Sequence, residues 1–216
     1  MDIYEALYTT RAMRRMKPDP IPHDAQARIL DAAIRAPNVG EQWRFILVDD
    51  PQLISQLAPL YVRAWEGIFD QMAVSLADLL KAPNEIGRIT RSGDHLARHF
   101  GEVPLLLLAF DRTRDGSGAY LAVWSAMLAA RAEGIGSTLT GAMQAVAGEV
   151  MEILGVPKDE GWNLHGVVPM GYPTGRWGVA PRTPVHEVAA RNSWDGALGF
   201  TVPQPLWPGA PSVHRA

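Results

Sequence analysis

The order of segments along this 216-residue chain predicts a mixed β-sheet covered by helices on both faces. Three observations carry that expectation. VPLLLLAF at 103–110 is too short to cross a membrane and too apolar for a surface strand, so it reads as a buried central strand. AYLAVWSAMLAARAE at 119–133 is apolar almost all the way round, so the helix it forms needs cover on both sides. Around these two, helical and strand-like segments follow one another in the order helix, helix, strand, long helical stretch, strand, helix, short extended piece, helix, strand.

The first helix is expected over residues 2–8. The second spans 24–36, opened by Asp24 as N-cap, with Ile29, Leu30, Ala33 and Ile34 on one face, and stops at Pro37. WRFILVD at 43–49 has strand composition. Asp50 followed by Pro51 starts a helical stretch that runs to about residue 80 and is kinked by Pro59. KAPNEIGRITRSGD at 81–94 is polar and glycine-bearing and reads as a surface excursion or lid. After the central strand and the apolar helix, Gly134 stands where a helix takes its left-handed C-terminal residue. An extended piece at 135–140, a helix at about 145–154 and the strand WNLHGVVPMGY at 162–172 complete one domain, residues 1–195. The tail at 196–216, with four prolines from Pro203 to Pro211, lacks a periodic element.

A chain of this length that is 47% hydrophobic can bury roughly 70% of its unfolded surface without staples. It contains no cysteine, which excludes disulfides, thiolate zinc sites and cysteine nucleophiles. The N-terminus has no apolar run of signal-peptide length, so a cytoplasmic location is expected, with no membrane association. Twenty Lys and Arg against 23 Asp and Glu, interspersed, offer no face for nucleic acid.

Most motif-like stretches have plain explanations. GIGSTLTG at 134–141 lacks the third glycine of a dinucleotide fingerprint, having Leu139 there, and it follows a helix rather than a strand. HLARH at 95–99 places two imidazoles on one helix face, but no glutamate follows His95, so these read as surface histidines and no metal is expected. No serine has a G-x-S-x-G setting. Trp65, Phe69 and Met72 are spaced as an apolar helical stripe and read as core before pocket lining. What remains is the cluster Arg11, Arg14 and Arg15 before Pro18, together with Arg182 far down the chain. Guanidinium groups fork onto phosphate oxygens with charge-assisted bonds, so arginines from distant segments can converge on a phosphate monoester.

The runs TTRAMRRMKPDPIP (9–22), RAPNVGEQWRF (35–45), LAARAEGIGSTLTG, LGVPKDE (154–160) and VPMGYPTGRWGVAPRTPVHEV (168–188) resemble, in this order, the FMN-dependent nitroreductase superfamily. The match covers roughly residues 3–195. It implies an α+β, nitroreductase-like fold, a mixed sheet with helices on both faces, whose active form is an intertwined homodimer binding FMN at the two subunit interfaces. By this resemblance Arg11 and Arg182 hold the FMN phosphate, and Ala12 and Met13 lie along the same cofactor-binding segment. Arg14 lies at the N1 and C2 edge of the flavin, where a cation stabilises the reduced ring. Arg15 faces solvent. The backbone N–H of Thr140 approaches flavin N5, with Gly141 allowing close contact. Pro37, Asn38 and Gln42 belong to the loop that covers the flavin from the other subunit.

Four departures stand out against the family pattern: Thr10 in place of an arginine, Ala12 in place of a serine, no second basic residue near Ala180, and a loop before Gln42 that is two residues shorter. The implied reaction is ping-pong hydride transfer from NAD(P)H through the flavin to an electron-poor organic acceptor such as a nitroaromatic, quinone or enone. No catalytic side chain is assigned, because positioning and electrostatics suffice once the cofactor carries the chemistry. The alternatives are a flavoenzyme of the same fold with specialised redox chemistry (dehalogenation, oxidation of a peptide-derived ring, flavin breakdown) and a redox-inactive flavin-binding protein.

Overall fold

The computed structural model describes residues 1–38, 40, 42–113 and 115–207. They form two compact units: Met1–Arg11 together with the stretch that begins at Arg176, and Ala12–Gly175. In the smaller unit α1 (Ile3–Thr9) is capped by Asp2, whose side chain accepts the Glu5 N–H at 2.8 Å. The only other helix among its described residues is the single turn α8 (Val185–Val188). Side-chain contacts reach residues 202 and 207: Tyr8 and Trp207 lie ring to ring at 6.0 Å, and His186 Nδ1 accepts the Val202 N–H at 3.2 Å.

The larger unit is built on four strands, β1 (Trp43–Val48), β2 (Leu105–Asp111), β3 (Gly136–Ser137) and β4 (Asn163–Gly171), in the order β1-β2-β4-β3. Each neighbouring pair is antiparallel. A parallel element enters through one isolated bridge, Ala12 to Ser137, and the sheet is mixed only in that sense among the described residues. Every residue of β2 is buried, because its side chains supply two cores at once. Leu106, Leu108 and Phe110 join the cluster under α3 (Pro51–Gln71) and α5 (Glu85–Arg98), while Leu105, Leu107 and Ala109 join the cluster under α2 (His23–Ala33) and α6 (Ser117–Ala132). Helices therefore cover both faces, as expected from the two apolar segments.

Several element boundaries differ from expectation. Helix α2 begins at His23 after Pro22 with no side-chain cap, so Asp24 lies inside the first turn, and it ends at Ala33 well before Pro37. The long helix stops at Gln71, Ala73 adopts a left-handed φ of 53°, and α4 (Leu76–Lys81) restarts under a Ser75 cap. The polar stretch expected as a lid is α5. Asn84 caps it by accepting the Gly87 N–H at 2.9 Å, and Gly87, Thr90, Gly93, Leu96 and Ala97 form its buried face. That stripe escaped a hydrophobicity reading because small residues, rather than large apolar ones, carry it. In α3, Trp65 packs against the core and Phe69 is buried, as the stripe reading held, whereas Met72 is exposed at the helix end. Gly134 takes φ 75° after α6, and the Ile135 N–H reaches back to Ala130 O at 2.8 Å, the helix stop that was expected. A 3₁₀ turn at Ala142–Val146 leads into α7 (Ala147–Ile153).

Candidate functional site

In the larger unit, residues 12–17 run extended beside the sheet edge. Met13 donates its N–H to Ser137 O at 3.0 Å, Lys17 donates to Tyr172 O at 2.8 Å, and Arg15 O accepts the Thr174 N–H at 3.1 Å. Met13 is buried against Gly136, while Ala12 and Arg15 are exposed. Gly136 is required there: a Cβ on it would stand 2.9 Å from the Met13 Cβ.

Arg14 is half-buried and forms no ion pair among the described residues; burial lowers its guanidinium from the ordinary value, with an electrostatic influence of Tyr61 opposing. It lines a cavity of about 270 Å³ with Arg15, His95, His99, Glu102 and Thr174. His95 was expected on the surface, yet α5 turns it into this cavity. Burial is the main cause that holds its imidazole below the ordinary value, with the charges of Arg15 and His99 acting the same way and Glu102 opposing. His99 Nδ1 contacts Glu102 at 2.9 Å. Missing the helix α5 is what hid this orientation from the sequence.

Tyr61 comes from α3 and is 2% exposed, its ring stacked on Phe100 at 4.1 Å. Its hydroxyl meets Thr140 Oγ1 at 3.3 Å. Burial pushes the phenol above its ordinary value, against smaller opposing effects of Thr140 and of the Arg14 charge. Thr140 is tied to β4 through both backbone groups: its N–H donates to Val167 O at 2.9 Å and its C=O accepts from Val167 N at 3.0 Å. The backbone N–H singled out in the sequence as a ligand donor is thus already engaged within the sheet. Gly141, next along, is exposed.

Gln42 and Asn38 sit elsewhere. Gln42 O accepts the Arg112 N–H just past the Asp111 end of β2, and Asn38 rests against Gly118 at the start of α6. Met13 is registered to Ser137, which faces Met170 and hence Leu105 at the other end of β2. A seven-residue strand separates these positions by about 20 Å, so the single chain does not bring Asn38 and Gln42 to Met13. Pro37 is exposed, and Val39 and Glu41 of the same loop lie outside the described residues.

The smaller unit carries Arg11 and Arg182, both exposed and without an ion pair among the described residues; Arg182 Nη1 donates to Pro181 O at 3.1 Å. Thr10, beside Arg11, is 8% exposed, and its hydroxyl is the buried side-chain group that finds no hydrogen-bond partner among the described residues.

A model of the nitroreductase family matches residues 7–172. The chain belongs to the nitroreductase family. Solved structures resemble this nitroreductase-family chain over most of its length. Oxidized iodotyrosine deiodinase bound to FMN and 3-iodo-L-tyrosine matches with a TM-score of 0.70 and 22% identity over 89% of this chain and 100% of that one. NfrA2 of B. megaterium matches at 0.68 and 18%, over 92% and 78%. A nitroreductase with bound FMN from Desulfitobacterium hafniense DCB-2 matches at 0.63 and 19%, over 88% and 98%. At these identities the likeness establishes the nitroreductase-like α+β fold. No curated protein matches the sequence. Among the described residues no helix is long and apolar enough to cross a membrane.

Proposed function

We propose that this protein is an FMN-dependent oxidoreductase that takes hydride from NAD(P)H and passes two electrons to an electron-poor organic acceptor, a nitroaromatic, quinone or enone. The observation that carries the reading is Arg14, a half-buried cation that forms no ion pair among the described residues, lying in a segment matched by the family and opening on a cavity of about 270 Å³. A buried guanidinium without an anion is costly unless a ligand completes it. When bound, FMN supplies the redox chemistry, taking up hydride at N5 and returning it to the acceptor.

The residues of each unit fit this cofactor. In the smaller unit Arg11 and Arg182 are exposed without an ion pair among the described residues and can fork onto phosphate oxygens, and the Thr10 hydroxyl finds no hydrogen-bond partner among the described residues. In the larger unit Arg14 would supply positive charge to the flavin ring, Ala12 lies exposed beside Met13, and Gly141 is exposed next to Thr140. Because Pro37, Asn38 and Gln42 lie away from Met13 within one protomer, a second copy is the natural source of these loop contacts. The apolar face of α6 supports the same homodimer: Leu121 and Trp124 stay 48% and 43% exposed on a helix whose other side is core. A cytoplasmic setting accords with the absence of cysteine.

The test is an absorption spectrum of the purified chain followed by anaerobic titration with NADH and NADPH. A yellow protein near one flavin per chain that is bleached by either nicotinamide, then reoxidised by menadione or a nitrofuran, supports the reading. Colourless protein that takes up no added FMN overturns it. The residues Thr10, Ala12 and Ala180 keep a second reading in view, a flavin-binding protein without turnover, which would be yellow and resist both nicotinamides.

A further inference from the structure

We propose that Tyr61 is a positioning residue that makes the Thr140 hydroxyl a one-way hydrogen-bond donor to the cofactor, in the place of the backbone N–H that the sheet has engaged. The proposal rests on the flavin reading above. A threonine hydroxyl has one hydrogen and two lone pairs. The Thr140 oxygen accepts from the Ala142 N–H at 3.3 Å and has Tyr61 Oη at 3.3 Å.

The direction of the second bond follows from charge. Arg14 lies close enough to act on Tyr61 electrostatically. A cation attracts the phenolic lone pairs and repels the O–H hydrogen, and Thr140 Oγ1 at 3.3 Å is the acceptor within that hydrogen's reach. Tyr61 is 2% exposed and stacked on Phe100, so its hydroxyl has no water to prefer. With both acceptor positions engaged, the Thr140 hydrogen is left for an outside partner on its half-exposed side. Both 3.3 Å contacts are long for hydroxyl bonds, and such bonds tighten when the ligand arrives.

A donor that cannot also accept discriminates between two states of the atom it faces. It bonds a bare ring nitrogen and offers nothing to the same nitrogen once that carries hydrogen. The pair Tyr61 and Thr140 therefore favours the oxidised cofactor and lowers its reduction potential. Replacing Tyr61 by Phe keeps the ring on Phe100, frees one lone pair of Thr140, and lets the hydroxyl accept from the reduced ring.

The experiment measures oxidised-FMN affinity and the midpoint potential, against redox dyes, for the FMN-loaded native protein and for Tyr61→Phe, Thr140→Ser, Thr140→Val and the double variant Tyr61→Phe with Thr140→Val. Tyr61→Phe is expected to bind reduced FMN about tenfold more tightly relative to oxidised, a rise of about 30 mV for a two-electron couple, with oxidised affinity within twofold of native. Thr140→Ser should keep the native potential. The Tyr61 substitution should add nothing once Thr140 is Val. An unchanged potential in Tyr61→Phe, or the same rise in the Thr140→Val background, overturns the role in a protein that still takes up FMN. A native chain that stays colourless with added FMN removes the flavin reading and this role together.

Discussion

Arg182 donates one N–H to the neighbouring Pro181 carbonyl and keeps the rest of its five-donor fork in solvent. Losing a charge-assisted contact to phosphate costs about 2 kcal/mol. Arg182→Ala is therefore expected to weaken FMN binding roughly thirtyfold by fluorescence titration, and unchanged affinity would mean the phosphate is held elsewhere. His95 yields a pH prediction. Its imidazole is held below the ordinary value, near 6.5 in an unfolded chain, by burial first and then by Arg15 and His99. The unfolded chain takes up the proton at higher pH than the folded one, so stability is intact above about pH 6.5 and falls as pH drops from the unfolded value to the lower folded one. Melting scans between pH 7 and 5 should show this decline in native protein and a flatter profile in His95→Gln. Residue types were legible at this scale: arginine and glycine announce their chemistry. Partners were not, since nothing local says that Tyr61 meets Thr140, 79 positions away.

At the scale of elements, α5 was the main departure. Its buried face depends on two glycines whose positions admit no side chain: a Cβ on Gly93 would stand 2.3 Å from Trp65 Cη2, and one on Gly87 would stand 2.0 Å from Ala82 O. Trp65 cannot simply withdraw, because its Nε1 donates to Asp94 at 3.3 Å and its ring abuts Phe69 at 5.0 Å. Gly93→Ala is expected to destabilise the chain by about 1–3 kcal/mol in urea unfolding, although alanine favours helix. Polar composition with small residues reads as loop from one sequence, and only packing against α3 reveals it as a helix. The bulge in β4 is similar. The register shifts between Ala109 and Phe110, so His165 becomes the extra residue, and its Nε2 reaches Asp111 Oδ1 at 3.2 Å and Thr113 O at 3.0 Å. That buried contact, with Ala119 N–H donating to Asp111 Oδ2 at 3.2 Å, ties the loop before α6 in place. Neither Asp111 nor His165 stood out in the sequence.

For the whole molecule, the central question is what covers Leu121 and Trp124. Their helix is apolar all round, and the larger unit covers only one side of it. On the homodimer proposed above, Trp124→Glu is expected to turn a two-chain species into a one-chain species in light scattering, and to loosen FMN through loss of the loop contacts that the second copy would supply. A Trp124→Glu protein that stays dimeric would show that another face joins the copies. The core should be far less tolerant: Leu108 is completely buried in the central strand, and Leu108→Ala is expected to cost about 2–5 kcal/mol in the same unfolding measurement.

By itself the sequence determined the central strand, the apolar helix, the helix stop at Gly134 and the arginine set, because these follow from local composition, periodicity and backbone freedom. The tertiary structure alone decided that the strands pair antiparallel, that residues 85–98 are helical, that the Thr140 N–H belongs to the sheet, and that Tyr61 meets Thr140. Those outcomes depend on contacts between segments distant in the chain, and the energy of such a contact is a property of the pair rather than of either stretch read alone.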